Sequence, residues 1–154
     1  MVNTTIIDNM CAKYMTHCLE LASSVASNEV PVAALLVDIS TGEIIASGVN
    51  TRESEQSVLA HAEINAIKAA AKKIGSWNLS GCALYVSLEP CPMCAGAILQ
   101  SHISTIVFGA YDAKTGAFGS RYNLTTKNLK VTGGLMEKES LELLQSFFSR
   151  RRES

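Results

Sequence analysis

With 154 residues, 47% of them hydrophobic and 18% charged, the chain reads as one folded domain over residues 1–154, which excludes a disordered or fibrous protein. A net charge of -1 and a pI near 6.3 exclude a general nucleic-acid binder, so contact with a polyanion has to come from a local patch. Eight of the 13 Lys and Arg do fall at or beyond Lys114, three of them in Arg150-Arg151-Arg152, which taken alone reads as a solvated helix end where cations are favoured.

Residues 7–25 set apolar groups at Ile7, Met10, Tyr14, Cys18, Leu21 and Val25, the spacing of a helix with one buried stripe. Cys11, Cys18 and His17 fall on or near that stripe and read as packed groups rather than ligands. Residues 32–37 form a continuous apolar run, too short to span a bilayer and suited to a buried strand. A turn at 40–42 and a second strand over 43–49 complete a hairpin. The polar stretch 50–57 connects it to a helix that begins near His61 and ends at Gly75. A strand over 83–88 runs into Glu89-Pro90-Cys91, and Pro92 suits the first turn of the next helix, where its missing N–H costs nothing. That helix runs to about Ser101. A strand over 105–108, a glycine-rich stretch over 109–119 and a short strand over 130–132 follow. A closing helix over 137–152 has Leu141, Leu144, Phe147 and Phe148 inward. Five strands alternating with helices predict an α/β fold, a mixed sheet covered by helices on both faces. No basic segment followed by an apolar run marks the N-terminus, so a cytoplasmic protein with no membrane association is expected. Its five cysteines are then thiols or metal ligands rather than a disulfide framework.

Two short pieces carry chemistry: His61-Ala62-Glu63 and Pro90-Cys91-Pro92-Met93-Cys94, each where a helix begins. Cysteines three apart at a helix start share one face, so both sulfurs can reach one ion. One imidazole and two thiolates give zinc three protein ligands and leave the fourth position to water, as catalytic rather than structural sites do. Two thiolates cancel the formal charge of the ion, so its water needs a base beside it, and Glu63 is the candidate. The set suits attack of zinc-bound hydroxide on an electrophilic ring carbon, the carboxylate carrying protons to a ring nitrogen and then to a departing amine. Pro-Cys-x-x-Cys alone also fits half a zinc knuckle or a redox pair, and His-x-Glu alone carries no weight. Together they match the H-x-E…P-C-x-x-C signature of zinc deaminases.

The segments around these motifs, residues 61–67 and 84–98, resemble the cytidine deaminase-like superfamily. Residues 107–120 (Val-Phe-Gly-Ala-Tyr-Asp-Ala-Lys-Thr-Gly-Ala-Phe-Gly-Ser) resemble the bacterial tRNA-specific adenosine deaminases within it. So do Glu29-Val30-Pro31-Val32, Asn50 at the end of the second strand, and Phe147-Phe148 followed by arginines. The resemblance implies a three-layer α/β/α fold with a central mixed five-stranded sheet. It implies deamination of adenosine to inosine at the tRNA wobble position by a cytoplasmic homodimer with one zinc per subunit. His61, Cys91 and Cys94 would bind zinc, and Glu63 would be the catalytic proton shuttle. Asn50 would hydrogen-bond the flipped-out base, with backbone near Ala62 and Pro90 lining the pocket. The 111–120 loop, with Asp112, and the basic end, with Arg150 and Arg151, would touch the anticodon stem-loop. The dimer would form around the helix that starts at the cysteines. Ala33 stands where the family usually has Gly, Ser57-Val58-Leu59 replaces a usual Asp-Pro-(Thr/Ser), and His102 replaces a common Arg. The rival reading is a free-base or nucleotide deaminase acting on guanine, cytosine or deoxycytidylate, whose zinc residues would be the same. A catalytically silent RNA-binding homologue would have no need of Glu63, and a purely structural zinc protein would show no turnover.

Overall fold

The computed structural model describes the backbone of residues 4–153 and the side chains of 11–152. In chain order it contains α1 (Thr4–Ser23), β1 (Ala33–Asp38), β2 (Ile44–Val49), α2 (Arg52–Glu55), α3 (Ala62–Ile74), β3 (Cys82–Leu88), α4 (Pro92–Gln100), β4 (Thr105–Ala110), β5 (Lys130–Thr132) and α5 (Glu137–Glu153). The strands lie in the order β2-β1-β3-β4-β5. β1 is antiparallel to both β2 and β3, whereas β3, β4 and β5 are parallel. The sheet is therefore mixed, as expected.

Alternation along the strands divides the core in two. Ala34, Leu36, Leu84, Val86, Ile106 and Phe108 meet the small residues Ala62, Ala66 and Ala70 of α3 and Ala95 and Ile98 of α4. Leu35, Val37, Ala83, Tyr85 and Val107 point the other way, onto Tyr14, Met15 and Cys18 of α1. α5 packs against β4 and α1. Burial on both faces is why β1 and β3 read as apolar runs without a polar side. Among the described residues, no helix is long and apolar enough to cross a membrane.

Several details differ from the sequence reading. The polar stretch 50–57 contains the one-turn helix α2. α1 stops at Ser23 rather than near Val25, and His17 is exposed. The side chains of Ile7 and Met10 lie outside the described residues. Phe147 is buried but Phe148 is exposed, because neighbouring helical positions point about 100° apart and cannot both face inward.

Candidate metal and substrate site

Two helix N-termini converge at one end of the sheet. His61 caps α3 and Cys91 caps α4, each with extended backbone (φ -76°, ψ 155° and φ -75°, ψ 172°) before the helical turns begin. Cys94 follows one turn into α4 and is buried. His61 Nδ1 lies 3.6 Å from Cys91 Sγ and 3.5 Å from Cys94 Sγ, and all three donor atoms fall within 4.8 Å of one another. Zinc bonds of about 2.0–2.1 Å to nitrogen and about 2.3 Å to sulfur at tetrahedral angles imply N···S separations of about 3.5–3.6 Å. The donors already stand at that spacing, so the residues fit a zinc ion. No fourth His, Cys, Asp or Glu joins the cluster among the described residues, which is the arrangement of an open site.

The three donors lie close enough to perturb one another's protonation. Cys91 has its pKa pulled down to about 4, first because the Cys94 thiol donates to it, with His61 adding to the effect. Cys94 is driven up by that same hydrogen bond and by burial. His61 is raised mainly by its hydrogen bond to Cys91. A metal ion needs all three donors deprotonated, so binding one here would release protons. Glu63, in the first turn of α3, is 4% exposed, and burial pushes its pKa up to about 7 against the opposing pull of its own backbone N–H and of His61. A carboxyl group so placed can both take up and release a proton near neutrality.

The cluster opens into a cavity of about 170 Å³. That is small beside the roughly 300–1,000 Å³ of cavities for drug-sized ligands, and it suits one ring system with the rest of a larger substrate outside. Apolar walls come from Val30, Val32 and Leu88; His61, Cys91 and Glu63 reach the cavity beside other polar groups that include Asn50, Arg52 and Asp112, while Cys94 lies behind them.

The other residues singled out in the sequence fall into three groups. Asn50 and Ala62 line the cavity. Asn50 donates from Nδ2 to the Val30 carbonyl at 3.1 Å and accepts the Arg52 N–H at Oδ1, also at 3.1 Å. One amide hydrogen and one lone pair are left for a ligand. Asp112 lines the cavity too, but its carboxylate closes its own loop, accepting from the Lys114 and Thr115 N–H groups and from the Thr115 hydroxyl. Pro90 stands behind the wall, its carbonyl accepting the Ala117 N–H at 2.8 Å. Arg150 and Arg151 are exposed in the last turns of α5 and do not line the cavity; the Arg151 guanidinium lies over the Phe147 ring at 5.4 Å. Three residues to which sequence analysis assigned no role stand at the cavity or brace its surroundings: Arg52 on α2 and the buried Glu89 line it, and the buried Glu29 accepts from the Glu53 and Ser54 N–H groups of α2.

Three donors at zinc spacing, a buried acid beside them and this strand order place the protein among the deaminases of the cytidine deaminase-like fold. The chain belongs to the MafB19-like deaminase family, which it matches over residues 9–152. It is 46% identical over 147 residues to the tRNA-specific adenosine deaminase of Haemophilus influenzae, a match covering 92% of this chain and 84% of that protein. A solved structure from a study of A-to-I editing by tRNA:A34 deaminases is similar at a TM-score of 0.80 and 38% identity, over 86% of this chain and 99% of that one. The guanine deaminase from Nitrosomonas europaea also reaches a TM-score of 0.80, at 27% identity, over 90% of this chain and 84% of that one.

Proposed function

We propose that the protein converts adenosine to inosine at the wobble position of tRNA, with water consumed and ammonia released. The observation that carries the reading is that one small cavity brings His61, Glu63 and Cys91 together in a chain so similar to a tRNA-specific adenosine deaminase. His61, Cys91 and Cys94 hold one zinc per subunit, which supplies Lewis acidity and lowers the pKa of a water placed beside it. Glu63 takes a proton from the attacking water and passes it to the purine ring nitrogen next to the reacting carbon. It then takes the remaining proton from the hydroxyl group added to that carbon and delivers it to the amine, which leaves as ammonia as the carbon–nitrogen bond breaks and the carbonyl forms. Burial suits Glu63 to this, since a carboxyl group that holds its proton weakly near pH 7 serves as base and then as acid.

Asn50 anchors the extruded base with the hydrogen-bonding capacity its backbone contacts leave over, and the Ala62 backbone borders the same ring. Arg52, on the rim, meets the phosphate or a flanking base. The Pro90 segment forms the wall, Asp112 shapes the rim loop, and Arg150 and Arg151 attract the anticodon stem-loop. A single-stranded loop suits this site because its bases can be splayed out and inserted one at a time. The enzyme acts as one domain, residues 1–154, in a cytoplasmic homodimer paired through α4.

A second reading, deamination of free guanine, draws on the likeness to the Nitrosomonas europaea guanine deaminase and on a cavity sized for one base. The two separate on one plate: zinc-loaded protein with an anticodon stem-loop bearing wobble adenosine, and with free adenine, guanine and cytosine. Inosine in the stem-loop alone supports the proposal. Turnover of guanine without inosine overturns it and keeps the second reading.

A further inference from the structure

Glu89 is the residue before Pro90-Cys91, is 2% exposed, and borders the cavity without belonging to the donor cluster. Every hydrogen bond its carboxylate accepts comes from one loop, residues 112–120. Oε1 accepts from the Asp112 N–H at 3.0 Å and from the Ser120 hydroxyl. Oε2 accepts from the Phe118 N–H at 3.0 Å and the Ser120 N–H at 3.2 Å. The loop passes over the carboxylate so closely that a Cβ on Gly116 would lie 2.3 Å from Glu89 Cδ and 2.4 Å from Oε1. A further tie, Ala117 N–H to the Pro90 carbonyl at 2.8 Å, binds the same loop to the same segment.

The loop is irregular apart from a single bridge between Phe118 and Asn123. Besides its internal bonds, such as Gly116 N–H to the Asp112 carbonyl at 2.8 Å, the loop is anchored to the rest of the fold by this one carboxylate, which sits two residues from Cys91, and by the Pro90 carbonyl. It also carries Asp112 and Thr115 to the cavity mouth. Four donors converging on two oxygens call for a carboxylate: a glutamine would present an NH2 group to two of those donors.

We propose that Glu89 is a positioning residue for substrate selection. It holds the 112–120 loop as the rim against which the nucleotides flanking the extruded base rest, and it takes no part in proton transfer. The inference rests on the RNA reading of the site given above. Losing it affects how well a polynucleotide is held, which appears in KM, and leaves kcat at saturating substrate within a few-fold.

The test compares Glu89→Gln, Glu89→Asp and Ser120→Ala with wild type, each zinc-loaded. It measures inosine kinetics on the anticodon stem-loop, zinc per chain, and amide hydrogen exchange. For Glu89→Gln we expect KM to rise at least about tenfold, the scale of one lost charge-assisted hydrogen bond. Zinc content should hold, and exchange should quicken at Asp112, Phe118 and Ser120 but not in the first turn of α3. Glu89→Asp, which keeps the charge, should recover part of the loss. Ser120→Ala leaves the metal-bearing segment untouched and should shift KM the same way by less, which keeps the test available if Glu89→Gln does not fold. Unchanged KM, or a collapse of kcat together with loss of zinc, overturns the inference. Wild-type protein that makes no inosine overturns the RNA reading instead, so the two failures are distinct.

Discussion

Gly48→Ala is expected to damage the site from behind. Gly48 lies on β2, under the first turn of α3. A Cβ there would sit 2.5 Å from the Ala62 carbonyl oxygen, 2.5 Å from the Ala66 nitrogen and 3.0 Å from the Asn65 carbonyl carbon. All three are backbone atoms, so no rotamer change relieves the clash. Ordinary contact begins at 3.4 Å, which leaves the methyl group about 0.9 Å short (3.4 less 2.5). The turn that must yield carries Glu63, and His61 caps it. Overpacking of this kind costs about 1–3 kcal/mol. For a chain of this size that lowers Tm by roughly 2–12 °C, at about 2–4 °C per kcal/mol. A shift of about 1 Å in a reacting group costs about a hundredfold in rate, so kcat/KM should fall far more than stability does. Calorimetry, zinc analysis and inosine kinetics on one preparation would show both effects. Ser47→Ala, at the neighbouring exposed position of the same strand, is the control and should leave Tm and turnover close to wild type. Gly48→Ala with wild-type Tm and wild-type turnover would refute the close-approach argument.

Three further outcomes are expected. Glu63→Gln should keep zinc and bind the stem-loop with wild-type affinity, yet lose about 10²-fold or more in kcat, the usual scale of a general acid–base; an equal loss of binding, read by fluorescence anisotropy, would remove Glu63 from that role. Cys94→Ala should bind no zinc at stoichiometric metal and melt well below wild type, since a buried ligand at the correct spacing couples metal affinity to folding; a chelator should lower the wild-type Tm and leave this variant unchanged. Glu29 supplies a pH test. Burial raises its pKa, but the Ser54 and Glu53 N–H donors and the Ser54 hydroxyl outweigh burial and hold it below the ordinary carboxylate value. A carboxylate lowered in the folded state stabilises above its unfolded pKa of about 4.3 and loses that contribution as pH falls through the folded value. The stability gap between wild type and Glu29→Gln, from urea unfolding, should therefore be full near pH 7 and shrink toward pH 3. A gap independent of pH would contradict this.

That His61, Cys91 and Cys94 would come together was legible because local chain geometry enforces much of it. Cys91 and Cys94 lie three positions apart, a proline opens their helix, and a helix start fixes both sulfurs on one side. The alternation of strands and helices, with the continuous apolar run at β1, announced a sheet buried on both faces. α2 was not legible, because four polar residues with no buried member have neither apolar periodicity nor a side-chain cap to mark them. Glu29 and Glu89 were hidden for another reason: each carboxylate is buried only because donors 23–31 residues away in sequence converge on it. Asn50 was legible as a pocket residue but not as a brace between Val30 and Arg52, which depends on how the 28–32 segment meets the end of β2. Pairwise spacing reveals ligands; it does not reveal which charges the folded chain will wrap.

Specificity between a polynucleotide and a free base separates this account from its nearest rival. The most direct measurement is a competition in one vessel. Zinc-loaded protein receives an anticodon stem-loop with wobble adenosine and an excess of free guanine, and inosine and xanthine are quantified together over time. Inosine should form in the stem-loop with no xanthine, and Glu63→Gln should give neither product. Xanthine accumulating while the stem-loop keeps its adenosine would contradict the RNA reading.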